Sequence, residues 1–233
     1  MHRVEHVMGT TIVVAARDGN VPDEVFDWFH HVDETFSTFK ETSAISRIRR
    51  GDLAAGAAAE EVQHVLERCR DLREATGGYF DAEIGELDPS GFVKGWSVDG
   101  AAAILDEACV REYAINAGGD IRTRGRWTIG IQHPLERSAI AKVVEGDDLA
   151  IATSGAYARG AHVLDPHTGA APAGILSVTI TGPDLGTADA YATAAFAMGA
   201  RRAPGWTARL EGYEAMTILA DGRVLMTPRF PEQ

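Results

Sequence analysis

The sequence predicts an α+β fold in which antiparallel sheets are flanked by helices. Helical patterns dominate the first hundred residues, and strand-like runs punctuated by Gly, Pro, Asn and Asp dominate from residue 112 onward. Helices and strands that are segregated in this way favour α+β over a doubly wound parallel sheet. No repeat, low-complexity tract or linker is evident, so residues 1–233 are expected to form one compact domain, an arrangement that also allows two lobes.

The first half of the chain contains one predicted strand and three predicted helices. The run 6–17, HVMGTTIVVAAR, is rich in the β-branched residues that are typical of strands. Apolar residues at helical spacing predict a helix after Pro22 and a second helix over 60–76, which ends at Gly77. A glycine-rich loop is then expected to lead into a third helix over 96–109.

The second half contains most of the predicted strands. They lie within 112–134, 139–146, 149–155 and 175–182. Helices are expected over 187–199 and 203–212, and the chain should close with a hairpin that turns at Asp221-Gly222.

Composition excludes several classes of function. The net charge of −12 leaves no basic stripe to bind nucleic acid. An anionic ligand would instead need backbone amides, a metal ion or a few placed cations. Cys69 and Cys109 form no CxxC pattern, and neither a signal peptide nor an apolar run of about 18 residues is evident. The sequence therefore predicts a cytoplasmic protein without membrane insertion.

Four segments are more polar than turns alone require: 87–99, 115–125, 152–159 and 161–169. The first either offers backbone N–H groups to a phosphate beside Lys94, without a known phosphate-loop spacing, or is a loop with a surface lysine. The second places Asp120, which could cap or bind, after a double glycine that is also typical of a β-turn. The third offers the hydroxyls of Thr153 and Ser154. The fourth contains His162, either a general acid or base or a packed histidine. GxSxG, HExxH and Cys/His patterns are missing, which argues against serine hydrolases, zincins and cysteine proteases.

Asp189 and Thr193 are one helical turn apart at the start of the segment TADAYATAAFAMG. Asp189 could be a helix N-cap beside a threonine that simply packs. Alternatively, the two side chains are hard oxygen ligands for a cation such as Mg²⁺. These residues alone leave both interpretations open.

Together, these segments resemble the ApbE family of flavin transferases, which attach FMN from FAD to a threonine of a partner protein. The resemblance runs from MGT at 8–10 and FSTFKETSAISRI at 36–48 to GYFDAEIGELDPSGFVKGWSVD at 78–99. It continues through INAGGDIRTRG, WTIGIQHP, ATSGAYAR, AHVLDPHTG and TADAYATAAFAMG. The resemblance implies a T-fold-like architecture with FAD in a cleft between two lobes.

The resemblance also implies roles for particular residues. Asp189, Thr193 and the main-chain carbonyl of Gly91 match ligands of Mg²⁺. His162 matches a histidine implicated in transfer and would take the proton from the acceptor threonine. Further positions match residues that contact FAD in the family: Met8, Phe39, Tyr79, Phe80, Asp81, Asp88, Lys94 and Val163.

The chain also departs from the family pattern. It is short between FDAEIGEL and DPSGFVKG, it has Ala82 and Glu83 where proline and threonine are usual, and Ala161 replaces a common histidine. These changes leave the implied metal ligands intact but lie close to the implied flavin pocket. Two alternatives to a transferase are therefore kept: a pyrophosphatase that gives FMN and AMP, and a protein that binds FAD without turnover.

Overall fold

The computed structural model describes residues 1–136, 138–155 and 163–231, and it confirms the α+β class. The helices are α1 (Asp23–Phe36), α2 (Ala44–Arg49), α3 (Glu60–Ala75), α4 (Ser90–Glu107) and α5 (Leu185–Thr207), with a short 3₁₀ helix at Ala55–Ala57. The strands are β1 (His2–Val7), β2 (Thr10–Ala16), β3 (Tyr113–Ala117), β4 (Asp120–Arg124), β5 (Arg126–Gln132), β6 (Ile140–Asp147), β7 (Ala150–Gly155), β8 (Ile175–Gly182), β9 (Glu214–Leu219) and β10 (Val224–Met226).

The described strands form one large antiparallel sheet and one two-stranded ribbon. The large sheet has the order β1-β2-β3-β4-β7-β8-β9-β10, and the ribbon pairs β5 with β6. Because side chains alternate along a strand, neighbouring residues of β7 enter different cores. Ala150 and Ala152 pack with residues of the helices, whereas Ile151 packs with Ile129 and Val144 of the ribbon. The helices and the ribbon therefore cover opposite faces of the sheet.

The first predicted strand is interrupted by a turn. β1 and β2 pair antiparallel, with Val7 opposite Thr10, so Met8 and Gly9 form a two-residue hairpin loop. Both loop residues have positive φ, 56° at Met8 and 68° at Gly9, as a type I′ turn requires. The prediction of one strand over 6–17 was wrong because the β-branched residues on either side hide this turn.

The last six residues of the glycine-rich segment before the third predicted helix, 90–95, are helical. α4 begins at Ser90 rather than at 96, so Gly91 and Lys94 lie in its first turns. A Cβ at Gly95 would overlap the carbonyl oxygen of Leu185 at the start of α5. Gly95 is therefore needed because α4 and α5 pack closely at this point, and it does not belong to a flexible loop.

The C-terminal half follows the predicted pattern. Two helices were expected over 187–199 and 203–212, and α5 consists of two helices that meet at a non-helical residue, Gly199, where φ is 67°; the second ends at Thr207 rather than at 212. The final hairpin is confirmed, with β9 and β10 joined by a turn at Asp221-Gly222. The short helix α2 was not predicted. The expectation of one compact domain stays a prediction.

We predict that Gly95→Ala destabilises the fold by about 1–3 kcal/mol, because the added methyl group has no space between α4 and α5. Urea unfolding of the two proteins measures the difference. Gly205→Ala is the matched control, since Gly205 lies in α5 with no atom near its missing Cβ. The control should be neutral or slightly stabilising. Equal stability of the Gly95→Ala variant and the wild type would contradict the close packing.

Candidate functional site

The candidate site lies where α4 packs against α5. Lys94 of α4 faces Asp189 of α5, with 3.0 Å between Nζ and Oδ2. One turn away on each helix, a Cβ at Gly91 would lie 3.8 Å from the hydroxyl oxygen of Thr193. The structure therefore places Lys94, which the resemblance had implied as a FAD contact, beside Gly91, Asp189 and Thr193, which it had implied as metal ligands.

The start of α5 shows that Asp189 is not a helix cap. The N-cap is Asp184, whose carboxylate accepts the N–H of Thr187 at 2.8 Å. Asp99 of α4 accepts the N–H groups of Leu185 and Gly186 at 2.8 and 2.9 Å. The carboxylates of Asp184 and Asp99 thus accept the backbone N–H groups of the first turn of α5. Asp189 lies in the second turn and does not cap the helix. The N-cap interpretation of Asp189 was wrong.

Lys94 is shared between two buried carboxylates. Besides Asp189, its ammonium contacts Oδ2 of Asp120, the first residue of β4. Asp120 is 2% exposed and Asp189 is 4% exposed, while the Lys94 side chain retains 20%. Buried carboxylates are costly unless a cation compensates them. Through these two ion pairs, Lys94 of α4 links the start of β4 to α5.

The sheet side of the site also contributes hydroxyl groups. The predicted turn at Gly118-Gly119 joins β3 to β4, and Asp120 follows it directly. Oδ1 of Asp120 accepts the N–H of Thr153 on β7 at 3.1 Å. The Ser154 hydroxyl on β7 lies 3.3 Å from that of Thr193. Asp120, Thr153 and Ser154 were noted in polar segments, but no local pattern grouped these residues with Asp189.

The chemistry of these donors fits a hard divalent cation. Carboxylate and hydroxyl oxygens are the ligand types that Mg²⁺ prefers. Among the described residues, no group of three or more His, Cys, Asp or Glu side chains could hold a metal. A cation at Asp189 would therefore rely on neutral oxygens as well, such as the Thr193 hydroxyl and a main-chain carbonyl.

The model of the ApbE family matches residues 8–88 and 85–217 of this chain. The chain belongs to the ApbE family. It is 34% identical over 144 residues to a FAD:protein FMN transferase of Vibrio cholerae, an alignment that covers 54% of this chain and 43% of that protein. An Escherichia coli K12 protein of the same name is 28% identical over 186 residues, covering 71% and 53% of the two chains.

Solved ApbE structures share this fold. The flavin transferase ApbE from Vibrio cholerae superposes with a TM-score of 0.88 at 22% identity, covering 99% of this chain and 97% of that one. The ApbE protein from Thermotoga maritima gives a TM-score of 0.86 at 21% identity, with 98% and 97% covered. In sequence, the matched stretch spans about half or less of the length of the curated relatives named above.

Of the aromatic residues that the resemblance implies as FAD contacts, Phe80 lies near the cluster and Tyr79 contacts Arg202 and His167. The buried ring of Phe80 lies against Gly91, where a Cβ would be 3.2 Å from it. The Tyr79 hydroxyl accepts a hydrogen bond from Arg202 of α5, and its ring packs edge-on against His167, with the ring centroids 4.6 Å apart. Phe80 therefore borders the Gly91–Thr193 contact directly.

The other residues expected to contact FAD have separate surroundings. Asp81 pairs with Arg73 at 2.8 Å, and Asp88 accepts the N–H of Ser90 at the start of α4. Met8 and Val163 are half-buried against the main core, whereas Phe39 is 96% exposed. The proposed base, His162, lies outside the described residues. Flavin contacts by these residues stay predictions.

Asp99 and Asp184 were missed by the sequence analysis although they fix the start of α5. Asp99 lies inside a helix pattern, where an aspartate gives no sign of a long-range contact. Asp184 precedes the first helical residue by one position, so an N-cap search at 184 rather than 187 would have found it.

Within the described residues, no helix is both long and apolar enough to span a bilayer.

Asp99 should make the stability of the protein depend on pH. Burial raises the pKa of its carboxyl group to about 6, although the two amide donors at the start of α5 and Arg122 favour the charged form. Between about pH 4 and pH 6 the folded protein therefore holds a proton on Asp99 that the unfolded chain has lost. From this group, the free energy of unfolding falls as pH rises through that window and levels off above it.

We predict that Asp99→Asn removes this dependence, which is at most about 3 kcal/mol at roughly 1.4 kcal/mol per pKa unit. Urea unfolding at pH 4.5 and pH 7 measures it in both proteins. The wild type should lose more stability than the variant between the two pH values. An identical loss in both would show that Asp99 does not titrate in this range.

Proposed function

We propose that the protein is a Mg²⁺-dependent FAD:protein FMN transferase. It would link FMN from FAD to a threonine hydroxyl of an acceptor protein and release AMP. The observation that carries this proposal is the cluster at the crossing of α4 with α5, in which Lys94 and Thr193 lie beside the buried carboxylates of Asp120 and Asp189. The names of its ApbE relatives support the same activity.

The cluster suits a pyrophosphate substrate on an acidic protein. In this proposal Asp189, Thr193 and the Gly91 carbonyl hold Mg²⁺, and Lys94 donates to a phosphate oxygen. When bound, Mg²⁺ would neutralise charge on the pyrophosphate and on the departing AMP. Only one of its three ligands is charged, so positive charge is left over for the substrate. Lys94 adds a second positive group beside the phosphates.

The transfer step replaces a phosphoanhydride bond of FAD with a phosphoester bond to the acceptor threonine. The acceptor threonine oxygen attacks the phosphorus on the FMN side, and the bond from that phosphorus to the bridging oxygen breaks. The electron pair leaves with AMP. We assign the hydroxyl proton to His162, because a neutral imidazole is a suitable base near pH 7. Its neighbour Val163 packs against the main core, which ties the start of the following segment to the body of the protein.

The remaining family positions would bind the flavin. We propose that Phe80, which borders Gly91, and Tyr79, which is hydrogen-bonded to Arg202, form part of the wall of the flavin pocket. Phe39, fully exposed on the segment between α1 and α2, can reach a large ligand or the acceptor. We propose further flavin contacts for Met8, Asp81, Asp88 and Val163.

Three activities are distinguished by incubating the protein with FAD and Mg²⁺, with and without a domain that carries a candidate acceptor threonine. AMP measured by chromatography, together with an FMN adduct found by mass spectrometry, supports the transferase. AMP in equal amounts whether or not acceptor is present, and without adduct, indicates a pyrophosphatase. Bound FAD that never yields AMP indicates a flavin-binding protein and contradicts the proposal.

We predict that Asp189→Ala abolishes Mg²⁺-dependent release of AMP, because the one charged ligand is lost. His162→Ala should slow transfer by about 10²–10⁴ while FAD still binds. Asp71→Ala is the control, since Asp71 lies on the exposed surface of α3 in an ion pair with Arg68. Undiminished turnover of Asp189→Ala at limiting Mg²⁺ would overturn the metal assignment, and undiminished transfer by His162→Ala would exclude it as the base.

A further inference from the structure

Among the described residues, the cluster at the α4–α5 crossing contains one basic and two acidic side chains. Lys94 supplies one ammonium, and Asp120 and Asp189 supply two carboxylates, whose side chains are 2% and 6% exposed. Buried carboxylates are unfavourable unless cations compensate them. A divalent cation at Asp189 would lie beside the Lys94 ammonium, so the two cations would compete for that carboxylate.

The two carboxylates differ in how they are held. Asp120 begins a strand and is anchored to the sheet through the amide of Thr153. Asp189 lies on the helix, one turn from the Thr193 hydroxyl, which is itself 3.3 Å from Ser154. Neutral oxygen donors thus gather at the Asp189 end. A hard cation would be favoured at that end and the ammonium at the other.

We propose that Lys94 is an exchangeable internal cation. A divalent metal ion replaces its ammonium at Asp189, and Asp120 keeps the displaced ammonium beside the metal. This inference rests on the proposed metal site and assigns to Asp120 a positioning role that acts through Lys94. The flexible four-carbon stem of lysine allows Nζ to leave Asp189 without any movement of α4. Repulsion between the two cations drives the exchange.

The exchange couples metal binding to phosphate binding. Before the metal arrives, the ammonium of Lys94 is shared by two carboxylates. After exchange it contacts one carboxylate and can donate to an anionic phosphate oxygen. The affinity for FAD should therefore rise on metal binding by more than the charge of the metal ion alone would cause.

The chain contains three lysines, which makes a direct test practical. Protein labelled with ¹³C at lysine Cε gives one signal each for Lys40, Lys94 and Lys142, assigned with the variants Lys40→Arg and Lys142→Arg. Mg²⁺ is then added without FAD, and its binding is followed by calorimetry. We expect the Lys94 signal to shift in proportion to bound Mg²⁺ and the Lys40 signal to stay in place. Bound Mg²⁺ with an unmoved Lys94 signal overturns the exchange.

Metal affinity in variants tests the same idea independently. Lys94→Met removes the competing ammonium, so Mn²⁺ affinity without FAD, measured by electron paramagnetic resonance, should rise about tenfold. Lys40→Met, which removes an ammonium from an exposed pair with Asp33, should change nothing. Unchanged or weaker Mn²⁺ binding by folded Lys94→Met contradicts the proposal. If that variant does not fold by circular dichroism, the lysine signals of the wild type still decide.

A double-mutant cycle defines the role of Asp120. Asp120→Asn alone should weaken Mn²⁺ binding, because the ammonium then remains on Asp189. In the Lys94→Met background the same substitution removes only the Coulombic attraction of a nearby carboxylate, so its effect should be smaller. A loss of affinity that is equal or larger in the Lys94→Met background would identify Asp120 as a direct ligand and overturn its positioning role.

The two proposals can fail separately. Absence of any Mg²⁺ or Mn²⁺ binding to the wild type overturns both the metal site and the exchange. A shifted Lys94 signal in a protein that forms no FMN adduct supports the exchange and contradicts only the transferase.

Discussion

The ion pairs between Lys94 and the buried carboxylates of Asp120 and Asp189 are the interaction on which the rest of the site depends. They join α4, the sheet and α5 at one point. The ammonium can reach both carboxylates only because α4 approaches the start of α5 at Gly95, where a side chain would overlap backbone. Asp99 and Asp184 hold the first turn of α5 in place. Packing, capping and charge pairing therefore determine one geometry together.

This arrangement answers a problem posed by the overall charge. A protein with a net charge of −12 repels a pyrophosphate unless it concentrates positive charge locally. Within the described residues of the cluster, Lys94 is the positive side chain, and it faces two carboxylates. Among these described side chains, an added divalent cation would turn a net negative charge into a net positive one. A metal ion in the proposed reaction would supply that charge.

Much of the fold could be predicted from the sequence, because periodicity and turn residues are local signals. The helices α1 and α3 and the closing hairpin follow directly from them. The turn at Met8-Gly9 and the early start of α4 could not, since β-branched neighbours conceal the first and three glycines the second. For the site, Asp189 and Thr193 were suggested by their spacing. Their meeting with Lys94 and Asp120 depends on tertiary packing, which no local pattern encodes, and the role of His162 stays a prediction.

The central claim is that the cluster at the crossing of α4 with α5 is the metal and pyrophosphate centre. The most direct measurement is anomalous X-ray diffraction from crystals of the protein grown with Mn²⁺ and FAD. The account predicts an anomalous peak within coordination distance of the Asp189 carboxylate and the Thr193 hydroxyl, beside the pyrophosphate, with Lys94 Nζ on Asp120. A manganese peak elsewhere, with Lys94 still bridging both carboxylates while FAD is bound, would contradict it.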